Sequence, residues 1–142
     1  MDLTEVLEQF QQAANEFARG NPEPVKALWS RADDVTLANP FGSAMRGWEQ
    51  VSGALEYASS RFRDGEVTDF RRVAEYMSPD LASILEIEKW QAKVAGREEV
   101  SPFELRVSST FRREEDGWKL VHRHADPLTD ARPDGPLQGS PG

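Results

Sequence analysis

The sequence predicts an α+β domain in which three helices come first and a bent antiparallel sheet follows, built as a short first strand and a four-strand meander. Three observations predict it. Apolar residues recur at three- and four-residue steps as far as Phe62, the period then changes to two, and helical and extended stretches do not alternate. Without that alternation a parallel doubly wound sheet is disfavoured and a segregated α+β arrangement is expected.

The elements follow in chain order. Leu3, Val6, Leu7, Phe10, Ala14 and Phe17 share one helical face, with Asp2 and Glu5 placed as a cap pair and Gly20 as a stop, so the first helix runs over about residues 3–19. Asn21-Pro22 restarts a brief helix whose apolar edge is Val25, Leu28 and Trp29, ending by Ser30. Asp34 to Ala38 alternates as a short strand, and the breaker-rich stretch Asn39 to Gly47 reads as a loop. Trp48, Val51, Leu55, Ala58 and Phe62 then form one face of a third helix that ends before Asp64-Gly65. Breaks at Asp64-Gly65, Ser78-Pro79-Asp80, Gly96 to Pro102 and Glu115-Asp116-Gly117 separate four consecutive strands. Residues 1–126 are expected to form a single domain. Residues 127–142, with four Pro and three Gly, are expected to be a mobile tail.

Composition narrows the function. At 142 residues a second domain is not expected, and a hydrophobic fraction of 38% with four Trp suffices for a core. The chain has no Cys, which removes disulfides, thiolate metal sites and Cys nucleophiles. Met1 to Glu5 has neither the basic nor the apolar part of a signal peptide, and no window approaches a membrane span, so the expected location is cytoplasmic and no membrane partner is expected. A net charge of −8 with scattered Lys and Arg argues against nucleic acid as a partner. Phosphate loops, nucleophile elbows and dinucleotide fingerprints are missing, and no cofactor is expected.

The chemistry that remains lies on the strands. On Leu81 to Val94 the parity puts Glu86 and Glu88 beside Trp90. On Trp118 to Asp126 it puts Trp118, Leu120, His122, His124 and Asp126 on one face, opposite Lys119, Val121, Arg123 and Ala125. A three-residue turn at Glu115 to Gly117 pairs Thr110 with His122, Ser108 with His124 and Arg106 with Asp126, which keeps each face uniform.

In the functional reading this polar cluster forms the bottom of a pocket between helices and sheet. His122 or His124 carries the proton, Asp126 or Glu88 orients it, and Arg106 holds an anionic or carbonyl oxygen. Asn39, Phe41, Tyr57, Glu86, Trp90, Ser108 and Thr110 complete the expected lining, though Trp48 and Phe62 fit ordinary core packing better. The rival reading is a satisfied ladder on an exposed or dimer-facing sheet surface. Spacing alone favours the ladder, because a lone polar row is a weak active-site signal. Two His and a carboxylate could also ligate a metal, but the chain has no third His and no metal is expected.

Taken together, the amphipathic first helix, the Asn39-Pro40-Phe41-Gly42 loop before Arg46-Gly47-Trp48, and Leu105 to Ser108 with Phe111-Arg112-Arg113 resemble the nuclear transport factor 2-like superfamily, and within it the SnoaL-like domains. The strongest carrier is the closing stretch Gly117 to Asp126, a Gly-Trp turn and a strand ending in His-x-His. The resemblance implies three helices closing a cone made by a strongly curved sheet, a pocket between them, and homodimerisation through the sheet. It also implies a small-molecule ligand, with a cofactor-independent acid–base isomerase, cyclase or hydratase acting on an apolar carbonyl compound as one expectation. A non-catalytic homodimeric binding or association module is the other. An isomerase's Tyr and paired Asp have no counterpart here, since Tyr57 and Tyr76 fall on a helix and at a strand end.

Overall fold

The computed structural model describes residues 1–128. Three helices, α1 (Leu3–Ala18), α2 (Glu23–Ala27) and α3 (Trp48–Ser60), cover one face of a six-stranded sheet. Its strands are β1 (Thr36–Ala38), β2 (Ala44–Arg46), β3 (Phe62–Met77), β4 (Leu81–Val94), β5 (Ser101–Glu114) and β6 (Gly117–Pro127), in the order β2-β1-β6-β5-β4-β3. The expected three helices, short first strand and four-strand meander are all present. Among the described residues no helix is long and apolar enough to cross a membrane.

Local chemistry accounts for the helices. Asp2 Oδ1 accepts from the Glu5 N–H at 2.9 Å, which satisfies one of the free donors of the first turn. Gly20, at φ +94°, ends the α1 segment where other residues would be strained. The stripe Leu3, Val6, Phe10, Ala13, Ala14 and Ala18 is buried against the sheet. Each large member of such a stripe contributes roughly 1.5–3 kcal/mol by leaving water.

Three differences from the expected layout have physical causes. The loop after β1 contains β2, which pairs antiparallel with β1 through Leu37 and Met45 and forms one sheet edge. The sheet is mixed, because the meander returns from the far edge to lay β6 parallel to β1. Asp64-Gly65 is not a turn but an irregularity inside β3, which already begins at Phe62, so Phe62 belongs to the sheet and not to α3. Asp64 has φ 51°, and a Cβ on Gly65 would meet Ala18 O at 2.6 Å and Gln91 O at 2.9 Å. The backbone can bend here, with α1 lying close above it, only because residue 65 has no side chain.

β3 has further register shifts between Val67 and Asp69 and between Arg72 and Ala74, and β5–β6 has one at Thr110/Phe111. Such bulges bend long strands, here of 14 and 16 residues, into the wall of an open cone. β6 runs through Pro127, and the Leu128 N–H donates to Glu104 O at 3.0 Å, so the ladder passes the expected domain boundary. The rest of the expected tail lies outside the described residues.

Candidate functional site

The β5–β6 hairpin decides which side chains face the helices. Its pairs are Thr110 with His122, Ser108 with His124 and Arg106 with Asp126, as the sequence predicts. They arise differently, however. Glu114 pairs with Gly117 across a two-residue turn, and Val121 is then an extra residue between the Phe111–Leu120 and Thr110–His122 pairs. Parity therefore changes at Val121: Leu120 lies in the core, but beyond the bulge it is Arg123 and Ala125 that point inward. His122, His124 and Asp126 face outward, with Arg106, Ser108 and Thr110 beside them. The expectation of a polar row at the bottom of the pocket is thus corrected for these six residues.

The helix-facing side holds a cavity of about 230 Å³, walled by aromatic and aliphatic residues that include Phe17, Phe41, Phe62, Trp90 and Phe103. Trp90 and Phe103 stack at 5.7 Å, Phe62 and Phe103 at 6.0 Å, and Phe41 meets Phe62 edge-on at 5.4 Å. Offset and edge contacts of this kind suit the ring quadrupoles and fix the wall. Arg123 is the one charged residue of the described lining.

Behind Arg123 stands Glu88, wholly buried at 0% exposure. Arg123 Nη1 and Nη2 donate to the two Glu88 oxygens at 3.1 and 2.9 Å, and Trp90 Nε1 donates to Glu88 Oε1 at 2.9 Å. The Arg123 guanidinium also lies 5.1 Å from the centre of the Phe10 ring on α1. A fully buried carboxylate needs this degree of pairing, since an isolated buried charge would be far too costly. The pair is neutral as a unit. Two in-plane bonds to Glu88 leave the Arg123 Nε–H and the other N–H groups available, and Arg supplies donors only.

Two of the outer row's residues are bonded to each other and a third to β1. Arg106 donates to Asp126 at 3.1 and 2.6 Å, and its guanidinium holds the Asp126 carboxyl below the usual carboxylate range. Thr36 Oγ1 and His122 Nδ1 lie 2.8 Å apart across the β1–β6 pair. Burial, and then the neighbouring His124, push the His122 imidazole below its ordinary value. Among the described residues no three His, Asp or Glu side chains stand together as a metal site.

The other expected residues divide. Asn39, Phe41 and Trp90 line the cavity, and Glu88 lies just behind it. Glu86 also faces the helices, but against Leu7, Phe10 and Arg72, outside the cavity. Burial raises its pKa, and Arg72 partly opposes this through bonds of 3.2 Å. Tyr57 is exposed on α3 and lines an adjoining groove instead. Arg123 is the residue that the sequence reasoning missed. Two signals could have found it: a carboxylate at an apolar parity of β4 requires a cation, and Arg123 stands between Val121 and Ala125 while its polar neighbours hold the wet face.

Comparison with known proteins follows the same lines. A family model described as SnoaL-like domain matches residues 6–129. A nuclear transport factor 2-like superfamily protein from Salmonella enterica serovar Typhimurium superposes with a TM-score of 0.78 at 17% identity, covering 94% of this chain and 93% of its own. A Streptomyces avermitilis protein provisionally named a dehydratase gives 0.70 at 20% identity, with 90% and 94% covered. A ketosteroid isomerase-like protein from Erwinia carotovora atroseptica gives 0.67 at 14% identity, with 90% and 95% covered. At these identities the likeness is one of fold. No curated protein matches significantly.

Proposed function

The chain belongs to the SnoaL-like domain family, and on that premise we propose that its cone binds a small, neutral, largely apolar compound through a carbonyl oxygen held by Arg123. The observation that carries this reading is Arg123, the single charged group of the described lining, in a cavity that is aromatic and aliphatic apart from it and Asn39. At about 230 Å³ the cavity falls just below the ~300–1,000 Å³ typical of drug-sized ligands, so the compound is small. The polar groups of the lining favour an acceptor. Arg123 offers only N–H groups, and Asn39 already spends its Oδ1 on the Phe41 N–H at 3.0 Å, leaving its amide N–H₂. Glu88 cancels the Arg123 charge, which favours a carbonyl over a carboxylate.

Dehydration and ketosteroid isomerisation, the reactions named for two structural neighbours, need a group that moves a proton at the substrate. Arg123 offers donors only, and both Glu88 oxygens are occupied by its guanidinium. Binding with polarisation of the carbonyl is therefore the activity that this lining supports best. The test compares acetophenone with toluene by calorimetric titration, in the wild type and in a Glu88→Leu, Arg123→Met double variant that removes the buried pair as a unit. Acetophenone should weaken by about tenfold or more, since losing hydrogen bonds to a charged group costs roughly 1.5–3 kcal/mol, while toluene binding is kept. Unchanged acetophenone affinity would overturn the reading.

A second role has its own observation. The outer face sets Ile87 opposite Arg106 and Leu85 opposite Ser108, next to the row of Arg106, Asp126, His124 and His122. We propose that this face pairs two copies of the chain, with the polar row fixing their register. Light scattering should give a dimer for the wild type and a monomer for Leu85→Glu, which puts a charge among the apolar residues of the pairing face. A wild-type monomer would sink it.

A further inference from the structure

A groove of about 370 Å³ runs between the loop after β1 and α3, lined by Gly42, Ser43, Met45, Glu49, Gln50, Gly53 and Tyr57 among others. It shares Leu37, Asn39 and Phe41 with the inner cavity, so the two spaces adjoin and have these residues as a common wall. That wall is shaped by a tight turn: Asn39 Oδ1 accepts from the Phe41 N–H at 3.0 Å and Asn39 O from the Gly42 N–H at 3.3 Å. Phe41 thereby places its ring against Phe62 on the inner side while its own residue borders the groove.

Both spaces are mostly apolar, and they differ in the polar groups that they offer. The inner cavity is aromatic and aliphatic apart from Arg123 and Asn39, whereas the groove adds to Asn39 the hydroxyls of Ser43 and Tyr57, the Gln50 amide and the Glu49 carboxylate. Glu49 is the only charged residue lining the groove among those described. Arg61 stands 6.0 Å over the Tyr57 ring and is not part of that lining.

From this juxtaposition we propose that cavity and groove are one bipartite site for an amphiphile, a compound with an apolar body in the cone and a non-anionic hydrogen-bonding end, such as a hydroxyl, in the groove. The proposal rests on the reading of the inner cavity as a ligand site and extends it to a substrate class. Asn39 and Phe41 border both spaces, and Asn39 is the polar contact at the junction. An anionic end is disfavoured by Glu49 and by the net charge of −8.

Gly53 provides a clean test, because a Cβ there meets nothing within 4 Å and residue 53 lies inside α3, where Gly is a poor helix former. Gly53→Met fills the groove without disturbing the cone, and Gly53→Ala controls for the helix. Titration calorimetry is run with acetophenone, which reaches the inner cavity alone, with 4-phenylbutan-1-ol and with 4-phenylbutanoate. The wild type should bind the alcohol about tenfold or more tightly than the carboxylate, and Gly53→Met should weaken the alcohol by a similar factor, with acetophenone unchanged in both variants. The proposal is overturned if Gly53→Met leaves the alcohol affinity intact, or if the carboxylate binds as well as the alcohol. Acetophenone failing to bind while the alcohol remains sensitive to Gly53→Met would reject the inner carbonyl site and keep the groove. Failure of every probe would reject both.

Discussion

At the scale of single residues, Glu88 and Arg123 carry the argument, and they act as a unit. Replacing either one alone with Ala strands the other as a buried charge and should cost roughly 3–5 kcal/mol in urea unfolding. The Glu88→Leu, Arg123→Met double variant should be within about 1–2 kcal/mol of the wild type or more stable, since a buried ion pair is often no better than apolar packing. On the outer face, His122→Ala and His124→Ala should leave acetophenone affinity unchanged, because both rings lie across the sheet from the cavity. His122 does predict a pH effect. Its folded-state pKa lies below the ordinary 6.5, so between those values the unfolded chain holds more protons and stability rises with pH. The melting temperature should therefore fall as pH drops from about 7 to 5.5, and His122→Asn should flatten that slope. A slope that is the same in both proteins would remove the attribution to His122. The sequence made Glu88, Trp90, Asn39 and Phe41 legible through strand parity and loop position. It hid Arg123, because alternation was counted through a strand that does not alternate throughout.

At the scale of elements, the legible parts were those governed by local rules. The Asp2 cap, most of the α1 stripe and the pairing of His122, His124 and Asp126 follow from short-range pattern and appear as expected, whereas the β5–β6 turn is one residue shorter than its composition suggests. What stayed hidden was every bulge. Asp64-Gly65 has the composition of a turn, yet it is a bend within β3 because α1 and β4 press on both sides of Gly65. Gly65→Ala should accordingly destabilise by about 1–3 kcal/mol, the cost of overpacking against backbone atoms that cannot move aside. Gly53→Ala on α3, with open space around it, should instead stabilise by roughly 0.5–1 kcal/mol. Equal effects at the two positions would mean that backbone crowding, the physical difference between them, has been misjudged. The bulge at Val121 follows the same principle: two turn lengths give identical pairs at His122, one of them needing an extra residue, and only tertiary packing selects between them.

At the scale of the whole molecule, the class, the helix count and the order of the meander were readable from the change of period at Phe62, whereas the parallel contact of β1 with β6 was not. Nothing local marks it, since Thr36 and His122 lie 86 positions apart. This placement has a consequence for synthesis. Of the described strands β6 is the last to be made, yet it sits in the interior of the sheet between β1 and β5, and it brings Arg123 to a Glu88 laid down 35 residues earlier. Contacts of such separation are costly to close and slow to form. Until β6 emerges, β1 has no long partner and Glu88 has no counter-charge, so a nascent chain that stops at β5 cannot finish its core. The cone is completed and its binding site assembled in the same late step, which leaves little room for a half-made protein that can already hold a ligand.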